Sequence, residues 1–501
     1  MLPATTREAA RRFGDRTAYV TDDGWTLSYT QLDEISDAVA CGLARRDVGG
    51  GDVVGLVLPP GPEYLIAYLA IAKVGAITAG ANDRLTDHER AAVLDIASPR
   101  VVLHSPPCGV ARDGAIPIAR ATNARDLLAD LREPGHPPPL SDDPDRPVAI
   151  IFTSGTTGLP RGALYCNRQL EFITRTDVGD AWGGGTRSFT GTSFAHLGFM
   201  TKLAGNLRRG GTSFIMTRWR ADDALALVER EQMVTIAGVP AQLALMLRHP
   251  DFDRFDLSSV QFLVVGGGPV TAGLAEEARE RFGARLATRY SCTEAGIGLG
   301  TSFDDPDEDA IVSVGRPHAS VELAVVADDG ARVAPGDVGE VCLRSPAVMS
   351  GYWRDPGATR AAFTADRFVR TGDLGYVDDL GRLRLVGRSK EMYVRGGYNV
   401  YPVEVESALS THPEVAAVAI VPRPDPVMAE VGVAFVVPRR PDAPPTLESL
   451  RHHAAGSVAP YKLPDDLRVV DALPLTAMEK IDRTALRALV GDEVPGPDGR
   501  R

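Results

Sequence analysis

At 501 residues the chain is longer than one ordinary core, so two or more domains are expected. A hydrophobic share of 44% with 24% charged residues is a globular composition, and a formal charge of −12 without a long Lys/Arg run excludes a nucleic-acid footprint. Cys41, Cys108, Cys166, Cys292 and Cys342 are scattered with no C-x-x-C, which leaves no evident zinc site and argues for a reducing, cytoplasmic compartment.

Taken in order, the chain opens on M-L-P-A-T-T-R-E, which lacks the apolar segment of a signal peptide. A small strand pair is expected within 18–30, an amphipathic helix over 29–46, and a turn at Gly49-Gly50-Gly51. A buried strand over 52–58 and an apolar helix over 63–74 follow. Residues 64–81 are apolar enough to suggest a membrane span, but Lys73 and Gly75 interrupt them, so a buried helix running into a strand is expected instead. Strands are expected at 101–104 and 148–152; between them the composition shifts toward proline, aspartate and alanine over 106–146, and the P-G-H-P-P-P-L-S-D-D-P-D-R-P segment at its end is expected to be a surface loop. The same rhythm continues with helices at 221–231, 241–248 and 273–282 and strands at 235–238 and 262–265. Strands alternating with helices imply parallel sheets covered on both faces.

Beyond Gly315, turns of the type D-D-G, P-G-D and D-D-L-G point to antiparallel strands. From about residue 390 a new unit begins, with helices at 402–409 and 447–454 and strands at 415–421 and 432–437. The expected fold class is therefore α/β. A large N-terminal domain (1–389) holds parallel-type sheets flanked by helices plus a small β subdomain, and a smaller mobile α+β domain (390–501) follows.

Several short stretches carry chemistry. After the strand at 148–152 come Thr153, Ser154, Gly155, Thr156, Thr157 and Gly158, then Arg161. Hydroxyls between glycines let backbone N–H groups crowd an anion, and Arg161 adds a permanent charge, although a polar surface turn has the same composition. The loop is not a Walker A motif. Gly266-Gly267-Gly268 ends another strand, where open α/β sheets bind ligands. Tyr290-Ser291-Cys292-Thr293-Glu294 offers a ring for a purine and a carboxylate for Mg²⁺, a hard ion that takes oxygen ligands. Asp373 in R-T-G-D-L can accept two ribose hydroxyls, and Arg388 in G-R-S-K can hold a phosphate or hydroxyl. Gly396-Gly397-Tyr398 reads as a turn before a helix. Lys480, in L-P-L-T-A-M-E-K-I-D-R, and His196, in F-A-H-L-G, are unremarkable alone.

Together and in this order, T-S-G-T-T-G-x-P-R-G, Y-S-C-T-E, T-G-D, G-R-S-K and T-A-M-E-K-I resemble the adenylate-forming superfamily of acyl-CoA synthetases, aryl-CoA ligases, luciferases and peptide-synthetase adenylation domains. The resemblance spans about residues 29–483. It implies that the loop and Arg161, standing for the usual lysine, hold the ATP phosphates. It also implies that Tyr290 to Glu294 contact adenine, phosphate and Mg²⁺, with Glu294 the metal ligand. Gly266 to Gly268 would lie against adenine and the acyl pocket, and Asp373 and Arg388 would take the ribose. His196 would sit beside the acyl carboxylate, Lys390 at a hinge, and Gly396, Gly397 and Tyr398 along a pantetheine tunnel after domain rotation. Lys480 would bridge carboxylate and α-phosphate, with Thr153, His196 and Glu294 as catalytic companions.

Three departures stand out: Ser291 replaces a glycine, Arg161 a lysine, and Met478-Glu479 the usual Ser-Gly. The implied activity is an ATP-dependent carboxylic acid:CoA ligase, using ATP, Mg²⁺ and coenzyme A on a small-molecule acid, with no obligatory protein partner. An amine or a carrier-protein thiol as the acceptor is the alternative. The acid pocket is expected near 196–200, 238–242, 266–268 and 296–300.

Overall fold

The run Val53–Val57 is buried at every position, as a strand covered on both faces must be. In the computed structural model, which describes residues 1–110, 112–153, 160–477 and 479–490, it lies inside a seven-stranded sheet. The spatial order is Gly351–Tyr352, Arg161–Cys166, Pro147–Thr153, Ile77–Gly80, Val53–Val57, Val101–His104, Ala115–Pro117. The strands from Pro147–Thr153 onward run parallel, while Arg161–Cys166 returns antiparallel with Thr153 facing Arg161. The suspected membrane segment is helix Pro62–Lys73, followed by strand Ile77–Gly80. Its Lys73 is buried and satisfied by Asp33, at 2.6 Å, and Asp37 from helix Tyr29–Ala44. No helix among the described residues is long and apolar enough to cross a membrane.

A second sheet starts with parallel strands Thr235–Gly238, Phe262–Gly266 and Arg285–Tyr290, then adds Leu299–Gly300 and Arg316–Pro317 antiparallel. The turn-rich stretch beyond Gly315 forms an antiparallel sheet of Glu322–Val326, Gly339–Arg344, Val369–Val377 and Leu383–Arg388. These are the parallel and antiparallel halves expected of the large domain. Helices Leu2–Phe13 and Asp87–Ala97 were not expected; the latter starts on a full capping box of Thr86 with Glu89.

The C-terminal unit has its own interior. Tyr393, Val405, Leu409, Val418, Ile420, Ala434 and Leu450 pack together, and none of the described apolar clusters mixes residues up to 383 with residues from 393 onward. Its sheet pairs Val415–Asp425 with Ala429–Pro438, with Asp466–Val469 added in parallel.

The two units meet through polar contacts. Glu277 on helix Ala272–Phe282 binds Arg248 of its own unit and, at 3.0 Å, Arg439 of the other. Arg248 also donates to the carbonyl of Ala416 at 2.9 Å. Gly273 abuts the end of helix Pro402–Ser410 so closely that a Cβ there would stand 2.3 Å from the Ser410 carbonyl oxygen. Gly273→Ala should therefore force this docking apart. An overpacking cost of about 1–3 kcal/mol lowers the docked-to-undocked ratio by roughly 5- to 150-fold. The measurement is the rate of any reaction needing the docked arrangement, set against melting temperature. Both unchanged would mean that Ser410 moves aside.

Candidate active site

The ends of several strands and one hairpin from the C-terminal unit meet at one place. Strand Arg285–Tyr290 delivers Tyr290, whose hydroxyl donates to Asp373 Oδ2 at 2.7 Å. Arg388 Nε donates to Asp373 Oδ1 at 2.9 Å. Asp373 is buried, and its own N–H is held by Thr371 Oγ1. Both carboxylate oxygens are thus oriented by charge-assisted or hydroxyl donors, with lone pairs remaining for further donors. Tyr290 was expected to offer its ring to a purine. Its ring is 9% exposed and its hydroxyl grips Asp373, because a buried phenol must find a partner.

Beyond Tyr290 the chain turns through Ser291, which is absent from the positive-φ residues, so serine replaces glycine here without strain. Cys292 follows, its thiol pushed far up by burial and by the nearby Glu294 and Asp373 carboxylates. The carbonyl of Thr293 accepts from Tyr165 at 2.6 Å. Glu294 Oε1 accepts from the hydroxyl of Tyr352 at 2.7 Å, and the Arg161 guanidinium lies over the Tyr352 ring at 5.5 Å. Arg161 and Thr153 face each other across the mouth of their hairpin. Ser154, Gly155, Thr156, Thr157 and Gly158 lie outside the described residues. Glu294 Oε2 has no partner among the described residues, so this carboxylate fits a hard cation shared with an oxygen-rich substrate.

Gly266 to Gly268 and the 238–242 segment come together. A Cβ on Gly267 would touch Val239, one on Gly268 would touch Pro240, and Gly267 itself has φ +82°. Gln242 fixes this corner by accepting from the Val239 N–H at 3.2 Å and donating to the Gly191 carbonyl at 3.0 Å. Gly238 and Gln242 also line a narrow cavity with Phe189, Ile236 and Met246.

Lys480 enters from the small unit on a tight hairpin, closed by the Leu475–Ile481 bridge and by Thr476 N–H donating to the Lys480 carbonyl at 2.7 Å. Its ammonium is lowered in pKa by burial and then by Arg388, against the pull of Asp373. It also acts on His196. Lys480 is therefore within electrostatic reach of both the Asp373–Arg388 pair and His196. Glu479, where the resemblance has glycine, adopts φ +58° and pairs with Arg84 at 3.0 Å. The loss of glycine has not lost the left-handed turn. Asn82 was missed from the sequence. It contacts His196 Nε2 at 3.1 Å and reaches the Ala477 carbonyl at 3.4 Å, joining the large unit to the hairpin. Tyr352 and Arg84 were missed too, since nothing in their local sequence marks them.

Gly396, Gly397 and Tyr398 are not at this place. Gly396 (φ +57°) and Gly397 (φ +87°) form the two-residue turn of hairpin Tyr393–Arg395 with Tyr398–Val400, where only glycine adopts such angles freely. The exposed Tyr398 ring stacks on Tyr461 at 4.6 Å.

Burial, aided by Lys480, pulls the His196 ring down to about 4. An unfolded histidine titrates near 6.5. Between these values the unfolded chain takes up a proton that the native ring refuses. Its contribution to stability is whole above pH ~6.5 and lost as pH falls toward 4. His196→Gln should flatten the melting temperature over that window, and an unchanged slope would contradict a neutral, buried ring.

Comparison with known proteins gives one answer. The family model described as AMP-binding enzyme matches residues 6–353, and the AMP-binding enzyme C-terminal domain matches residues 404–480. The chain is 33% identical over 492 residues to an indoleacetate–CoA ligase of Aromatoleum aromaticum, covering 93% of each protein. It is 31% identical to the fatty acid–[acyl-carrier-protein] ligase ScoC of Streptomyces coeruleorubidus, over 94% of this chain and 93% of that one. The structure of the amide bond synthetase McbA from Marinactinospora thermotolerans superposes with TM-score 0.85 at 27% identity, covering 98% of this chain and 100% of that one.

Proposed function

The chain belongs to the AMP-binding enzyme family of adenylate-forming proteins, and we propose that it is an ATP-dependent carboxylic acid:CoA ligase. The observation that carries this is the placement of Lys480. Its hairpin is docked on the large unit by Asn82 and Arg84, which brings the half-buried ammonium within electrostatic reach of the oriented Asp373–Arg388 pair and of a neutral His196 held by Asn82. Asp373 and Arg388 bind the ribose, while Thr153 to Gly158, Arg161, Tyr290 to Glu294 and Gly266 to Gly268 surround the rest of the nucleotide. An acid bound near His196 presents its carboxylate to the α-phosphorus of ATP. A new P–O bond forms, pyrophosphate leaves, and Lys480 stabilises charge on the oxygens around phosphorus. This is catalysis by positioning and fixed charge in a water-poor site. Glu294 would hold Mg²⁺, which would offset the charge of the phosphates.

In the second half-reaction the thiol of coenzyme A attacks the acyl carbonyl, the C–O bond to AMP breaks, and a thioester remains. The domain division falls between 389 and 390, with Lys390 as hinge. Rotation about it brings Gly396, Gly397 and Tyr398 to the site as the pantetheine channel. Their exposure in the docked arrangement supports that division of labour.

One observation favours another acceptor. The Arg84–Glu479 pair must break before the hairpin can leave. A ligase that keeps Lys480 in place would hand its acyl group to an amine, or to a carrier-protein thiol. The test is pyrophosphate release from Mg·ATP with a panel of carboxylic acids, with and without CoA. Release that rises with CoA and yields thioester by mass supports the proposal. Release indifferent to CoA but raised by amines supports the other acceptor, and a protein that binds ATP but releases nothing with any acid refutes both.

A further inference from the structure

Arg289, the residue before Tyr290, has no part in this chemistry. Strand alternation turns its side chain to the face opposite Tyr290. Its register partners on that face are Gly266 on one side and Gly300 on the other, so no neighbouring side chain fills the space beside it. A Cβ on Gly300 would lie 3.0 Å from Arg289 Nη1. The guanidinium is therefore draped across a glycine.

That nitrogen is pinned, donating to the carbonyls of Thr288 at 2.8 Å and Thr301 at 2.7 Å. Nε and Nη2 have no partner among the described residues, so an oriented pair of donors is left unspent. Asp177 is within Coulombic reach, but it also faces Arg209 at 3.2 Å and Lys202 at 4.0 Å. Three cations thus share one carboxylate. The Lys202 ammonium makes no hydrogen bond among the described residues and has only this long ion pair. His318 closes the group: its backbone N–H donates to the Gly298 carbonyl at 3.2 Å, while burial, Arg289 and Lys202 lower the pKa of its ring against the pull of Asp177.

The position of this cluster gives it meaning. Lys202 stands two residues beyond helix Leu197–Met200, whose N-cap is His196. Gly266, Gly298 and Gly300 belong to the segments expected to wall the acid pocket. His196 has Lys480 as its cationic neighbour, whereas Arg289 and Lys202 are neighbours of His318 and Asp177.

We propose that Arg289 and Lys202, with His318, form a second anion site at the far wall of the acid pocket, and that the acid activated here carries a second carboxylate. This rests on the ligase reading. One carboxylate goes to Lys480 and becomes the mixed anhydride; the other stays ionised against Arg289. An unspent guanidinium edge takes a carboxylate in two parallel hydrogen bonds, which a neutral chain end cannot replace.

The experiment compares kcat/KM for pyrophosphate release across matched pairs of acids, each monocarboxylic acid against the same skeleton ending in a second carboxylate. The second member of at least one pair should be favoured by about 10- to 100-fold, the worth of one or two charge-assisted hydrogen bonds. Arg289→Met should collapse that preference to within about threefold through KM, Arg289→Lys should restore part of it, and ATP-induced thermal stabilisation shows whether each variant is folded. Monocarboxylic acids used as well as or better than their partners would overturn this inference and leave the ligase intact. So would Arg289→Met lowering both members of a pair alike. No release with any acid would remove the ligase reading, and this inference with it.

Discussion

Replacing Lys480 with methionine lowers the rate of pyrophosphate release by about 10²- to 10³-fold, the cost of removing one preorganised donor from a developing oxyanion. Methionine keeps the length and the apolar stem, so the hairpin held by Thr476, Asn82 and the Arg84–Glu479 pair should stay folded. ATP binding should survive, because Tyr290, Asp373 and Arg388 are untouched. When chemically prepared acyl-adenylate is supplied with CoA, thioester should form at close to the parent rate, since the proposed second half-reaction does not use this ammonium. The pair of assays separates a catalytic cation from a structural one. Equal losses in both half-reactions would mean that Lys480 only props the domain joint.

Asp373→Ala should be nearly as severe, but through binding. Its carboxylate is the common acceptor of Arg388 Nε and the Tyr290 hydroxyl, and its remaining lone pairs are those assigned to the ribose. Removing it costs the ribose bonds and frees two donors to move, so the KM for ATP should rise by on the order of 10²-fold. The melting temperature should fall as well, because a buried phenol loses its partner. Asp373→Asn keeps the shape and one acceptor oxygen, and should fall between the two in both assays. An Asn variant with unchanged ATP affinity would take Asp373 out of the nucleotide site.

The elements legible in the sequence were those whose apolar period was unambiguous. Helices Ala221–Glu231 and Leu447–Ala454 and strand Thr235–Gly238 fall where the pattern put them. Helix Leu2–Phe13 was passed over because its buried side includes Thr5 and Thr6, which read as polar. Helix Asp87–Ala97 carried a readable signal in Thr86 and Glu89, but its first turn is too charged to look like part of a core. At the site, the motifs announced Tyr290, Asp373, Arg388 and Lys480, yet not how they join. Tyr290 binds Asp373 across 83 positions, and Asn82 contacts Ala477 across 395. Such contacts belong to the tertiary fold, and no local pattern encodes them. Arg289 was hidden for another reason: standing just before a stretch read for its tyrosine and glutamate, it is meaningful only once Gly266 and Gly300 are seen on either side.

The hairpin that carries Lys480 has a further consequence. Its ammonium reaches the nucleotide pocket from a body with a separate hydrophobic interior, joined to the rest by a handful of polar contacts. The ignition key is thus kept apart from the engine. On the proposed reading, a nucleotide resting on the large body alone would lack the Lys480 ammonium. On that reading idle ATP would be spared from water, and the first reaction would begin only when both bodies had closed around a complete set of reactants.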